Sequence, residues 1–235
     1  MVNATRPRMQ KLLLVCGILS SLMYVAADIA AAWRWEGYSY TAQTISELMA
    51  VEAPTRPLLV ALFSLYNALV LTFGAGLLVS AGTRRALRVT GGLVLGWSAL
   101  GIVVLLFFPM HSRGAVGAMT VTDGMHIALT SVGVLLTLLY MGFGAASLGK
   151  RFRLYSIGTI LALVVFGALA GLAGPRVAAN LPTPGVGLLE RINVYATMLW
   201  LLVLAVALLK ERGEQDRNVR AAQPTNVTAM EGGQS

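Results

Sequence analysis

The sequence predicts an all-α fold, a polytopic membrane bundle of six transmembrane helices, on three observations. Hydrophobic residues make up 57% of the 235-residue chain and charged residues 12%. With a mean hydropathy of +0.73, this is more apolar surface than one water-soluble core could hide. Six apolar runs are each long enough to cross a hydrocarbon layer of about 30 Å, which takes roughly 20 helical residues. Finally, Lys and Arg alternate in abundance between the two sides of those runs, as they do across a cytoplasmic membrane.

The runs occupy residues 12–33, 57–80, 89–110, 125–148, 154–173 and 192–209. They define one membrane domain, 12–209, between an N-terminal segment, 1–11, and a polar tail, 210–235. None shows the short apolar–polar alternation of an outer-membrane barrel strand. The first run follows Arg6, Arg8 and Lys11 and exceeds the apolar region of a secretory signal, so it is expected to be retained. Clusters at 6–11, 84–88, 150–153 and 210–220 hold 13 of the 18 cationic residues; Arg34, Arg56, Arg113, Arg176 and Arg191 are the other five. Positive residues mark the inside, so both termini are expected to be cytoplasmic in an inner (cell) membrane, with loops near 34–56, 111–124 and 174–191 facing out. Pairs of small residues, Gly92 with Gly96 and Gly167 with Gly171, have the spacing of close helix packing. The tail, rich in Gln, Asn and charge without hydrophobic periodicity, is expected to be disordered beyond its first turns.

The first outer loop carries Thr44-Ile45-Ser46-Glu47-Leu48. Thr44 and Glu47 have the spacing of a capping box, which would start a short interfacial helix before Pro54 and Pro57, with Leu48 and Met49 dipping into the interface.

Composition also excludes functions. The charge of +8 comes from helix flanks and tail rather than an aromatic-lined basic groove, which argues against nucleic-acid binding. A single cysteine, Cys16, leaves no intramolecular disulfide or paired-cysteine redox site. Two histidines on one side cannot supply the four axial ligands of a two-haem carrier, so no haem is expected.

Candidate chemistry lies on the outer side, where Asp28, Glu47, Asp123, Glu190, His111 and His126 cluster. Asp28, His126 and Glu190 fall about one turn into the membrane, where an ionisable group is costly and faces a cavity or a partner. Asp123, three residues before His126, can cap the fourth helix or orient the imidazole. A nucleophilic mechanism would use His126 as base, Asp28 or Asp123 to orient it, and Ser46 or Thr44, held over the bundle mouth beside Glu47, as nucleophile. His111, His126, Asp123 and Glu190 are also suitable donors for a divalent metal, although no HExxH spacing occurs. Tyr24, Tyr66, Asn67, Thr130 and Asn193 are candidate floor and walls of a cavity; Asn67 could equally hydrogen-bond a neighbouring helix. Arg191 with Glu190 could hold a lipid head group at the rim.

These residues leave three classes open. One is an outward-facing lipid-directed hydrolase or acyl-transfer enzyme; another is a small transporter or lipid-binding protein, whose cavity would continue past Asn67. The third is a non-catalytic scaffold subunit. Membrane lipid is the expected partner in the first two.

The order of Asp28, Tyr38 and Tyr40, "TISEL" with Pro54, "LYNAL" at 65–69, "FFP" at 107–109 and "DGMH" at 123–126 resembles the six-helix prokaryotic membrane family known as domain of unknown function 998. The resemblance covers most of 12–209 and implies fold and membrane location, with no activity to carry over. In topology the chain is also similar to the androgen-induced class of six-helix membrane hydrolases, which use a threonine near the first hairpin and a histidine on a later helix to cleave lipid esters. Thr44 and His126 hold comparable places.

Overall fold

The computed structural model describes residues 5–117, 119–179 and 181–222. Its elements in chain order are α1 (Thr5–Arg34), a 3-10 turn (Ser46–Met49), α2 (Arg56–Ser80), α3 (Arg85–Phe107), α4 (Val121–Ala145), α5 (Lys150–Gly171), the short α6 (Gly174–Ala178) and α7 (Val186–Ala222). Six segments are long and apolar enough to cross a membrane: α1, α2, α3, α4, α5 extended through α6, and α7. At 1.5 Å per residue the 25 residues of α2 reach about 38 Å, more than the hydrocarbon thickness. The chain is a six-helix multi-pass membrane protein.

Local chemistry sets the boundaries. Pro57 sits in the first turn of α2, where its missing N–H is no loss. Gly82 turns the chain from α2 to α3 at φ 53°, a left-handed conformation that glycine adopts without strain. Pro109 follows α3 closely and cannot continue it. Thr120 caps α4 by a reciprocal box: its Oγ1 accepts from Asp123 N at 3.2 Å, while the Asp123 carboxylate accepts from Thr120 N at 2.9 Å.

The helices close into a ring, α1–α2–α3–α4–α5–α7 and back to α1. On α2, Leu59, Phe63, Tyr66, Val70, Phe73 and Leu77 recur every three or four residues and form its buried stripe. By contrast α5 fully buries only Ser156 and Thr159; Phe152, Ile160 and Leu163 pack partly against the core, while Leu154, Leu161, Val164 and Val165 are exposed. The α1–α2, α3–α4 and α5–α7 connections share one end of the bundle, the loop end; the chain termini share the other. Toward the terminal end Trp200 crosses the ring, donates Nε1–H to Ser156 Oγ at 2.9 Å and packs on Tyr140, which in turn meets Trp97.

Three details differ from expectation. The helix in the first loop is a single 3-10 turn, and Leu48, which should have dipped into the interface, is fully buried because α2 packs against it. The last helix runs to Ala222, further past its span than the one or two turns expected, with ion pairs Lys11–Asp216 at 2.6 Å and Arg84–Glu211 at 2.8 Å beside it; residues 223–235 lie outside the described residues. Of the glycine pairs, Gly92, Gly96 and Gly171 face open space, and only Gly167 nears another side chain, that of Asn193. The glycines that let backbones approach are others: Gly17 against Phe73, Gly76 against Leu13, Gly144 against Trp200, and Gly187 against the Gln43 carbonyl.

That contrast gives a direct test. A methyl group at Gly187 would overlap the Gln43 carbonyl oxygen, a rigid backbone atom. Gly187→Ala is expected to destabilise the bundle by about 1–3 kcal/mol or more, whereas Gly96→Ala should leave thermal unfolding in detergent unchanged.

Candidate functional site

At the loop end the strongest polar contacts are buried. Arg191, 1% exposed, forms a two-pronged ion pair with Asp28, 0% exposed: Nε donates to Oδ2 and Nη2 to Oδ1, both at 2.9 Å. Its remaining donors reach the Tyr38 hydroxyl at 2.7 Å and the carbonyls of Tyr40 and Gln43 at 2.7 and 3.0 Å. Tyr195 donates to Asp28 at 2.5 Å, and the Tyr40 ring lies 3.7 Å from the guanidinium. Burial pushes the Tyr38 phenol above its ordinary range against the opposing Arg191 charge, so it stays a protonated donor to the Thr44 carbonyl. The cluster clasps α1, α7 and the first loop together.

Further bonds sew the three connections into one cap. Thr44 N donates to Glu47 Oε2 at 2.7 Å and Glu47 N to Thr44 Oγ1 at 3.3 Å, the expected capping box. Glu47 also pairs with Arg113 at 2.8 Å, and Arg113 donates to Thr183 at 2.6 Å. Val51 N reaches the Met110 carbonyl at 2.9 Å, and Ile45 N reaches Glu190 Oε2 at 2.5 Å. Ser112 N donates to Glu52, holding that exposed carboxyl below its usual range.

Beneath the cap lies a cavity of about 440 Å³ enclosed by the ring. Phe63, Trp97, Leu105 and Leu163 supply apolar wall; Ser46, Arg56, His126 and Glu190 lie toward the loop end; Tyr24, Tyr66, Asn67 and Asn193 stand lower. The lining residues that stay exposed, Thr130 and Val134 on α4 and Gly167 on α5, place an opening between these two helices, toward lipid. The packed pair Tyr140 and Trp200, both fully buried, lies on its terminal side.

His126 is the distinctive member. Its Nδ1 lies 2.8 Å from the Phe108 carbonyl, which can only accept, so Nδ1 carries the proton. Nε2 is then a bare lone pair, buried and without a partner among the described residues.

The structure therefore gathers His126, Ser46, Glu190, Tyr24, Asn67 and Asn193 around one cavity and separates the other candidates from it. Asp28 does not orient His126, because Arg191 and two tyrosines occupy it. Nor does Asp123, whose oxygens are taken by the Thr120 cap and by His111, with Nδ1 at 3.2 Å. Thr44 and Glu47 are bound to each other and to Arg113 rather than to an imidazole. Arg191 is no rim anchor for lipid; every donor is used internally. Among the described residues no group of three or more His, Cys, Asp or Glu is placed to hold a metal, so His111, His126, Asp123 and Glu190 do not form one site. Asn67 both lines the cavity and takes the Ser98 hydroxyl of α3 on its carbonyl at 2.9 Å. Sequence reasoning missed Arg56 at the loop end of the cavity and Arg113 in the cap. Two arginines at the end of the spans that is poor in cations were the available signal.

Removing Asp28 would leave the Arg191 charge buried and unpaired. Asp28→Ala is expected to cost about 3–5 kcal/mol, and Asp28→Leu combined with Arg191→Met much less than the sum of the two single changes. Detergent unfolding of the four proteins measures the coupling.

No curated protein and no solved structure matches the chain. Residues 18–207, which contain the clasp and every cavity-lining helix segment, match the family described as protein of unknown function (DUF998), and the chain belongs to that family.

Proposed function

We propose that the protein binds a membrane amphiphile. The apolar part enters the central cavity through the gap between α4 and α5, and the polar group rests near the loop end against Arg56, Glu190 and His126. The observation that carries this reading is the cavity itself: a mostly apolar space of about 440 Å³ at membrane depth, opening toward lipid and furnished with a few polar groups at one end. Ligand sites in proteins have this size and this mixture. The loop end faces away from the cytoplasm, since 13 of 18 Lys and Arg flank the opposite end. A transport path is less favoured, because Tyr140 and Trp200 pack below the cavity where such a path would continue.

One observation favours a second reading, acyl transfer. His126 Nε2 has the tautomer of a general base, and the Ser46 hydroxyl lines the same cavity. Ser46 would attack an ester carbonyl while His126 takes its proton and passes it to the departing alcohol, and a water deprotonated by His126 would then hydrolyse the acyl-serine, with the proton returned to Ser46.

Gly133 borders the cavity with its nearest neighbours at 3.8 Å or more, so a larger side chain there would fill the space without a backbone clash. Gly133→Leu is expected to keep its unfolding temperature yet lose the amphiphile that the wild type retains in native mass spectrometry. Equal retention by both proteins would remove the cavity as the site. For acyl transfer, a fluorophosphonate should label the wild type and not Ser46→Ala; absence of labelling in the wild type ends that reading.

A further inference from the structure

We infer that the ligand's polar group is a hydrogen-bond donor, a hydroxyl or amine on a single-chain amphiphile, rather than an ester or ether. This rests on the amphiphile reading above and narrows it. The inference comes from two buried acceptors on the cavity wall. His126 has its only ring proton on the Phe108 carbonyl and presents a lone pair; the residue is 8% exposed. Asn193 donates Nδ2 to the Leu189 carbonyl at 3.0 Å, which fixes the amide orientation, since the flipped form would set oxygen against oxygen. Its Oδ1 is left buried without a donor.

The hydroxyls repeat the pattern. Thr130 donates to the His126 carbonyl at 2.7 Å, Thr137 to that of Gly133 at 3.0 Å, and Thr197 to that of Asn193 at 2.9 Å. Each has one proton and has used it on its own helix, so what remains for the cavity is lone pairs. Glu190 accepts a single protein N–H, from Ile45. Glu190, Asn193 and Thr197 recur at three- and four-residue spacing on α7 and so share the face that lines the cavity.

The same wall also carries donors without a protein partner among the described residues: the Tyr24 and Tyr66 hydroxyls, the Trp97 indole N–H and the part of the Arg56 guanidinium not bonded to the Met49 carbonyl. An ester or ether, which only accepts, would serve those donors and leave His126 Nε2 and Asn193 Oδ1 unpaired, whereas a hydroxyl or amine, which both donates and accepts, satisfies both kinds. Size adds the chain count: at roughly 30 Å³ per water-sized group, 440 Å³ holds about fifteen non-hydrogen atoms, which suits one chain rather than two.

The test compares a primary alcohol of about fifteen non-hydrogen atoms with its methyl ether, on the full chain in detergent. Binding is read by native mass spectrometry, with Gly133→Leu giving the micelle background. The expected result is at least about tenfold tighter binding of the alcohol, with the preference lost in His126→Phe while ether binding is unchanged. Should His126→Phe fail to fold, Asn193→Leu makes the same measurement. Equal binding of both probes above background overturns the donor rule and leaves the amphiphile reading intact. Binding of neither above background removes both.

Discussion

The ion pair between Asp28 and Arg191 is the contact on which the loop end depends. It joins the first and last helices at residues 163 apart in sequence and brings the first loop with it, because the guanidinium also takes the Tyr40 and Gln43 carbonyls. A carboxylate and a guanidinium taken out of water are costly separately, so the pair is tolerable only with its hydrogen bonds complete. Here they are complete, and the same completeness removes both residues from chemistry. An acid whose lone pairs are filled by an arginine and two tyrosines has no capacity left to orient a histidine.

Closing the ring at α1 and α7 determines what the other side can be. Helices α1, α2, α3 and α7 carry most of the buried core, whereas α5 fully buries two small hydroxyl residues, packs partly through Phe152, Ile160 and Leu163, and leaves the rest of its apolar face exposed. The enclosed space is therefore walled firmly on one side and opens where α4 faces α5. The cap formed by Glu47, Arg113 and Thr183 covers the loop end, so the lipid-facing gap is the more direct entry for an apolar molecule.

Much of this was legible in the sequence, and the part that was not has a common cause. The six spans, the Thr44–Glu47 box and the Asp123 cap are local: they follow from hydropathy and from spacings of three residues. The gathering of titratable groups at one end also follows from counting along spans. Pairings between distant segments do not, and the orienting roles considered for Asp28 and Asp123 and the rim role of Arg191 failed for that reason. Depth placed Asp28 and His126 at one level without saying which sides of the ring they occupy. The glycine pairs failed similarly: Gly92 and Gly96 have the right interval but the wrong face, while Gly17 and Gly187 matter through neighbours on other elements.

A fold that satisfies Arg191 down to its last proton nevertheless leaves His126 Nε2, Asn193 Oδ1 and the Tyr66 hydroxyl buried without partners a short distance away. Each such group costs about 1–3 kcal/mol if it stays unpaired. Replacing them with Leu or Phe would serve a purely structural bundle better, and the apolar wall formed by Phe63, Trp97 and Leu105 is already of that kind. All three line one cavity, and the two acceptors stand with threonines whose protons are turned away. The other unpartnered hydroxyls among the described residues, those of Ser80, Tyr140 and Tyr155, lie away from this space, whereas the two acceptors and Tyr66 converge on it. Their convergence ties the cavity to a ligand that completes them, and separates this end of the bundle from the aromatic packing below it.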